Sequence, residues 1–190
     1  MVSKQAYLVS DPKDIGDPAG VILPGVGDFG ACMDALDERG FKSVVLDLIA
    51  AKTPLLGVCV GMQMLFEFSE ESGGHAGLGL LPGKVTKLRG ARRLPQMQWN
   101  TLDLPKDSGG LYVGIAERPW VYFVHSYAIT SSEFATATCD YGENFVASVQ
   151  SGNVFGTQYH PEKSSKAGLS IIANFVSIAE GRAFETDTGN

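Results

Sequence analysis

In the first third of the chain, short apolar runs alternate with segments whose apolar residues recur at helical spacing. Residues 6–10, 21–23 and 55–58 are largely apolar stretches that are too short for helices and are bounded by proline or glycine, so they predict strands. Apolar residues recur at helical spacing in 28–39 and again in 41–49. This order of strand, helices and strand predicts a parallel sheet with helices on its faces.

The pattern changes after Phe68. Short strand-like runs with turn residues between them continue to Val149, and their spacing predicts antiparallel pairing; the runs are 98–104, 121–124, 127–130, 135–139 and 145–149. A further strand is predicted at 153–159. A last helix is predicted from about Lys166, with a buried face formed by Leu169, Ile172, Ala173 and Val176. The sequence therefore predicts an α/β fold: a mostly parallel sheet with flanking helices plus antiparallel strands. We expect a single domain, 1–180, and a frayed polar tail, 181–190.

The stretch 53–66 carries the first candidate for chemistry. A strand should end at Cys59 and a helix should follow, with Met62, Leu65 and Phe66 on its apolar stripe. Glycine is expected on both sides of the apex, at Gly57 and Gly61, because side chains there would collide with neighbouring backbone. The turn points the Val60 N–H toward any oxyanion beside the sulfur, and the helix dipole favours a thiolate. Cys59 is therefore predicted to be an activated nucleophile; the alternative is a buried structural cysteine.

A cysteine nucleophile needs a base, and the chain offers three histidines. His75 lies in a glycine-rich loop, and His125 follows an apolar run that is typical of a core or strand-end histidine. His160 ends a strand, where a parallel sheet collects functional groups, and Glu162 is placed to orient its imidazole. Cys59, His160 and Glu162 form a complete set for nucleophilic catalysis.

Composition narrows the class of protein. The chain has 190 residues, 44% of them hydrophobic, and no apolar run approaches the length that spans a membrane. A formal charge of −6 argues against general nucleic-acid binding. Three widely spaced cysteines do not form a disulfide framework, and residues 1–6 lack the order of a secretion signal, so we expect a reducing cytoplasm. One cluster of basic residues belongs either to a solvated loop or to a surface that binds an anionic partner. It consists of Lys84, Lys87, Arg89, Arg92 and Arg93.

Two motifs together resemble a known family. The G-x-C-x-G-x-Q of 57–63 and the H-P-E of 160–162 are similar to those of class I glutamine amidotransferases. Four further segments resemble the glutaminase subunit of imidazole glycerol phosphate synthase: LPGVGDFG (23–30), YFVHSY (122–127), NVFGTQ (153–158) and HPEKS (160–164). The resemblance covers nearly the whole chain.

The resemblance implies hydrolysis of L-glutamine to glutamate and ammonia, without a metal or cofactor. Cys59 would form a thioester, His160 would transfer protons, and Glu162 would hold the imidazole. The implied oxyanion donors are the Val60 N–H and the backbone of Gly25, Val26 and Gly27, and Gln63 matches a position that contacts glutamine. The implied partner is a cyclase of histidine biosynthesis, a TIM barrel in a heterodimer, for which Trp99 and Lys163 are candidate interface residues.

Two departures from the family are visible. The chain has Pro-Gln-Met-Gln-Trp-Asn at 95–100, where the family has Pro-His-Met-Gly-Trp-Asn facing the cyclase. The first strand and helix expected for the family are missing, which leads us to expect that the natural chain begins upstream or that another polypeptide supplies them. Two alternatives remain: another class I glutaminase, including a γ-glutamyl hydrolase, or a non-catalytic binding subunit.

Overall fold

A computed structural model describes residues 6–91, 93–106 and 108–182. The helices are α1 (Phe29–Glu38), α2 (Phe41–Ala50), the short α3 (Val60–Gln63) and α4 (Ser165–Ala179). The strands are β1 (Val21–Gly25), β2 (Leu55–Cys59), β3 (Phe66–Ser69), β4 (His75–Ala76), β5 (Leu81–Lys87), β6 (Gln96–Thr101), β7 (Trp120–His125), β8 (Tyr127–Ala128), β9 (Ala135–Asp140), β10 (Asn144–Ser151) and β11 (Val154–Thr157). Arg92 of the basic cluster and positions 183–190 of the predicted tail lie outside these ranges.

A five-stranded sheet forms the centre of the molecule, in the order β1-β2-β11-β10-β9. β1, β2 and β11 run parallel, whereas β10 pairs antiparallel with both β11 and β9. All five residues of β2 are buried, as expected for a central strand covered on both faces. The predicted fold class, a largely parallel sheet with helices plus antiparallel strands, is confirmed.

Two smaller β units complete the fold. β4, β3, β5 and β8 form a second sheet in that order. β6 and β7 form an antiparallel two-stranded ribbon that extends from the Gln96–His125 pair to the Thr101–Trp120 pair. This ribbon lies beside the carboxyl end of β11, since the Tyr122 carbonyl accepts a hydrogen bond of 2.9 Å from the His160 N–H.

Local sequence signals explain the boundaries of the first helices. The Asp28 carboxylate caps α1 by accepting a hydrogen bond of 2.9 Å from the Ala31 N–H. Gly40 then takes a left-handed conformation, with φ 73°, and separates α1 from α2. In α4, Phe175 packs edge-on against Phe155 of β11, with ring centroids 6.0 Å apart.

Three predictions about individual elements are wrong. The predicted strand at 6–10 is irregular, with Tyr7 and Leu8 78% and 89% exposed, because no described strand pairs with it. Phe66 begins β3 instead of continuing a helix, because its backbone pairs with Leu81 of β5. The fully buried residues of α4 are Gly168, Ile171 and Phe175 instead of the predicted face, of which Leu169 is exposed.

Candidate active site

The strand-to-helix turn at Cys59 has the predicted strained geometry. Cys59 has φ 55° and ψ −114°, which is an unusual conformation for a residue with a side chain. A Cβ at Gly57 would lie 2.6 Å from the Gly61 carbonyl oxygen, and a Cβ at Gly61 would overlap the carbonyl oxygen of Leu23. Both glycines are therefore required by contacts with backbone, and these contacts hold Cys59 at the apex.

His160 and Glu162 are joined directly. His160 Nδ1 lies 2.8 Å from Glu162 Oε1, at the start of the short turn Pro161–Lys163 that follows β11. Since a carboxylate accepts only, Nδ1 donates its proton to Glu162, and the lone pair of the neutral imidazole in this orientation lies on Nε2. Nε2 is buried and has no hydrogen-bond partner among the described atoms. The imidazole thus presents a free base nitrogen, as a general base requires.

Cys59 and His160 lie at the ends of neighbouring strands, because Val58 of β2 pairs with Thr157 of β11. The structure does not give a direct hydrogen bond between the Cys59 sulfur and His160 within the described chain. The thiol instead contacts the Val124 carbonyl oxygen at 3.8 Å, and the Gln158 Nε2 lies 3.9 Å from the sulfur.

The predicted preference of Cys59 for the thiolate is wrong for this structure. Burial raises the pKa of the Cys59 thiol to about 11, and a hydrogen bond from the Val60 N–H only partly opposes this rise. The helix that follows has only four residues, so its dipole is too small to outweigh desolvation. The resting side chain is a thiol at neutral pH, and a base must take its proton before the sulfur can attack.

The glycine-rich segment after β1 packs against the same turn. Gly25 pairs with Cys59 across β1 and β2, and a Cβ at Gly25 would lie 2.6 Å from the Gly61 nitrogen. Val26 is exposed, and its carbonyl accepts a hydrogen bond of 3.4 Å from the Cys32 thiol. Gly27 has φ 88°, a conformation that favours glycine. These contacts place the segment beside Cys59.

Gln63 occupies the first turn after the apex and is almost fully buried. Its Nε2 donates to the Tyr127 carbonyl at 2.8 Å and to Gln158 Oε1 at 2.9 Å. Sequence reasoning missed Gln158 as a site residue. One signal was available, since Gln158 precedes His160 by two positions and the two side chains of an extended segment would share a face.

The ribbon carries an exposed apolar face beside the site. Trp99 is 42% exposed and packs edge-on against Tyr122, with centroids 6.1 Å apart; Met97 and Trp120 are exposed on the same face of the ribbon. The Tyr122 backbone is bound to the turn that holds Lys163, since its N–H donates to Ser164 Oγ at 3.0 Å. Trp99 and the turn that holds Lys163 are therefore both attached to Tyr122, and the side chains of Trp99 and Lys163 are exposed.

No group of three or more His, Cys, Asp or Glu residues that could hold a metal ion is found in the ranges that the structure covers. Within the same ranges, none of the helices is long and apolar enough to cross a membrane.

Glu162→Gln tests whether the carboxylate orients the imidazole. We expect the rate of glutamine hydrolysis to fall by about 10- to 100-fold, because an amide at this position also permits the wrong imidazole tautomer. The loss should be smaller than for a buried carboxylate, since the Glu162 side chain is 51% exposed and solvent screens its charge. Steady-state kinetics at neutral pH would measure it. An unchanged kcat would contradict this role.

Comparison with known proteins shows the broad enzyme class to which the chain belongs. The family model for "Glutamine amidotransferase class-I" matches residues 5–179, so the chain is a class I glutamine amidotransferase. Solved structures share the fold: a glutamine amidotransferase crystal structure gives a TM-score of 0.70 at 18% identity, covering 92% of this chain and 86% of the other. A glutamine amidotransferase from Thermotoga maritima gives a TM-score of 0.60 at 15% identity, covering 84% and 76%.

Curated relatives narrow the family further. The imidazole glycerol phosphate synthase subunit HisH of Moorella thermoacetica is 45% identical over 170 residues, which cover 88% of this chain and 80% of the relative. The HisH subunit of Bacillus cereus strain ATCC 14579 is 43% identical over 180 residues, covering 94% and 86%. The chain belongs to the family of imidazole glycerol phosphate synthase HisH subunits.

Proposed function

We propose that this chain is the glutaminase subunit of an imidazole glycerol phosphate synthase. It hydrolyses L-glutamine to glutamate and ammonia and passes the ammonia to a cyclase partner in histidine biosynthesis. The observation that carries the proposal is the pairing of a strained, buried Cys59 on one strand end with an oriented His160–Glu162 pair on the next. The family membership of the chain supports the same reaction.

The first half of the reaction forms a thioester. The Cys59 thiol transfers its proton to His160 Nε2, and the sulfur attacks the side-chain amide carbon of glutamine, so that a C–S bond forms and an oxyanion develops. The Val60 N–H and the backbone of Gly25–Gly27 are the proposed oxyanion donors. The C–N bond then breaks, and His160 returns its proton to the departing ammonia.

The second half releases glutamate. His160 Nε2, again unprotonated, takes a proton from water, and the resulting hydroxide attacks the thioester carbon. The C–S bond breaks and the sulfur regains a proton from His160, while Glu162 keeps Nδ1 protonated throughout. Gln63 is proposed to contact the bound glutamine through its carbonyl oxygen, since both of its amide hydrogens have acceptors in the protein.

A glutaminase assay with and without the cyclase tests the proposal. We expect glutamine-dependent ammonia release that rises when the cyclase is added, and formation of the cyclase product with glutamine as the nitrogen source. Absence of hydrolysis under both conditions would contradict the proposal and favour a non-catalytic binding subunit. Hydrolysis that is stimulated only by a different synthase would assign the chain to another class I glutaminase.

The exposed ribbon face is the proposed docking surface for the cyclase, for which we expect a TIM barrel in a heterodimer. Ammonia is protonated in bulk water at neutral pH, so a subunit that delivers it benefits from docking at the open side of its site. Trp99 offers a large amphipathic ring of the kind enriched in interface hot spots, and Lys163 lies one residue beyond Glu162.

Alanine at both Trp99 and Lys163 tests this surface. We expect cyclase affinity to fall by about 30-fold or more, because truncation of a hot-spot tryptophan typically costs at least about 2 kcal/mol. Titration by calorimetry would measure the affinity, and the stimulated glutaminase rate would fall with it. Tyr7→Ala with Lys13→Ala is the matched control, since both side chains are exposed and neither lies in the ribbon or in the turn Pro161–Lys163. Unchanged affinity in the Trp99 and Lys163 variant would show that the docking face is misplaced.

A further inference from the structure

The Tyr127 carbonyl fixes the orientation of two buried amides. This oxygen accepts hydrogen bonds from Gln63 Nε2 at 2.8 Å and from His125 Nδ1 at 2.9 Å. A carbonyl can only accept, so Gln63 must present its amino group there. The same amino group reaches Gln158, which must therefore present its oxygen, Oε1, at 2.9 Å. The orientation of the Gln158 amide follows from an unambiguous backbone acceptor.

The orientation of Gln158 determines what faces the nucleophile. With Oε1 bound to Gln63, the amino group of Gln158 points to Cys59, and its Nε2 lies 3.9 Å from the sulfur. On another side the thiol contacts the Val124 carbonyl oxygen at 3.8 Å, which suits a thiol that donates its proton. Once that proton leaves, the hydrogen bond from the sulfur to the Val124 oxygen is lost. The Gln158 N–H can still donate to the sulfur.

We propose that Gln158 stabilises the Cys59 thiolate by donating a hydrogen bond from Nε2 to the sulfur, and that Gln63 positions Gln158 for this contact. The proposal deepens the proposed function, since it concerns the same nucleophile. Burial opposes formation of the thiolate, so each remaining donor at the sulfur changes how readily Cys59 reacts. In this contact Gln63 acts through Gln158 as a positioning residue, in addition to its proposed contact with the bound glutamine.

Other charged and titratable groups also face Cys59. Glu162 and Cys32 raise the pKa of its thiol, and Lys163 lowers it, although burial is the largest influence. His160 follows Gln158 by two positions and is the proposed acceptor of the thiol proton. A substitution at Gln158 leaves all four groups in place, so a change in the pKa of Cys59 would report the loss of the amide donor.

Alkylation of Cys59 by iodoacetamide, followed by mass spectrometry of its peptide across a range of pH, measures thiolate formation without turnover. For Gln158→Met we expect the apparent pKa of Cys59 to rise by about one unit and its alkylation rate near neutral pH to fall about tenfold. The kcat for glutamine with the cyclase present should fall by a similar factor with KM nearly unchanged, since the lost contact serves the chemical step. Gln63→Met should also raise the pKa of Cys59, but by a smaller amount than Gln158→Met.

Gln158→Glu is the second variant and keeps an oxygen acceptor for Gln63. Its carboxylate opposes a neighbouring thiolate, so the pKa of Cys59 should rise further than in Gln158→Met.

Gln96→Met is the matched control, because Gln96 is also fully buried and its amide lies beside Cys139. Circular dichroism would check that each variant is folded. If Gln158→Met does not fold, Gln63→Met carries the test, and an unchanged pKa of Cys59 in folded Gln63→Met then overturns the inference.

Two results would overturn the inference: an unchanged pKa of Cys59 in folded Gln158 variants, or an equal shift in Gln96→Met. The proposed function fails separately, if the wild-type protein with its cyclase does not hydrolyse glutamine. The alkylation measurement remains informative in that case, because it requires only the thiol.

Discussion

Cys59→Ser should abolish glutamine hydrolysis while the protein stays folded and still binds the cyclase. A hydroxyl is close in size to a thiol but far harder to ionise, so the loss falls on the chemical step and should reach about a thousandfold or more in kcat. The serine hydroxyl can donate to the Val124 carbonyl as the thiol does, so the buried position should remain satisfied. Steady-state kinetics, thermal melting and cyclase titration would measure the three properties.

Cys139→Ser makes the same exchange of sulfur for oxygen at another buried thiol. Cys139 lies in β9, with its sulfur 3.8 Å from the Asp140 carbonyl oxygen. This variant should keep its turnover if it folds, which would assign the loss in Cys59→Ser to the nucleophile. Turnover near the wild-type level in Cys59→Ser would end the assignment, as would a thioester trapped on Cys32 or Cys139.

Gly61→Ala should destabilise the folded protein strongly, although it adds only one methyl group. The new Cβ would overlap the Leu23 carbonyl oxygen, and the backbone of a hydrogen-bonded strand cannot rotate away as a side chain can. We expect a loss of about 3 kcal/mol, which corresponds to a melting temperature lower by about 6–12 °C for a domain of this size. Activity should fall as well, because relief of the overlap moves the residues around Cys59.

Gly109→Ala is the control for this prediction. Gly109 has φ −85°, and none of the atoms that the structure describes lies within 4 Å of the position of its missing Cβ. Alanine there should leave the melting temperature close to that of the wild-type protein or slightly higher, since it restricts the unfolded chain. Equal melting temperatures for Gly61→Ala and wild type would show that the elbow is looser than its contacts indicate.

Local sequence signals predicted the parts of the site that depend on neighbours in the chain. The two glycines around Cys59, the strand before it and the spacing from His160 to Glu162 are all properties of a few adjacent residues, and the structure has them. The antiparallel strands β9 and β10 were predicted for the same reason, since only three residues connect them.

The failures all involve partners distant in sequence. Phe66 belongs to a strand because of Leu81, and 6–10 is not a strand because no described strand pairs with it. The thiol of Cys59 has a raised pKa because the assembled core removes water from it, which a turn motif does not reveal. Gln158 was missed because its importance depends on Gln63 and Tyr127, which reach it only in the folded chain.

The position of β2 between β1 and β11 has a consequence for folding. Leu55 pairs with Val154, and Asn153 secures this junction by donating to the Thr53 carbonyl at 2.8 Å. Residues 60–153 must therefore form a long loop between the two strands before Cys59 and His160 become neighbours. Long-range pairing of this kind carries a high contact order and slows folding. During synthesis, the complete site can form only after the ribosome has made most of the chain.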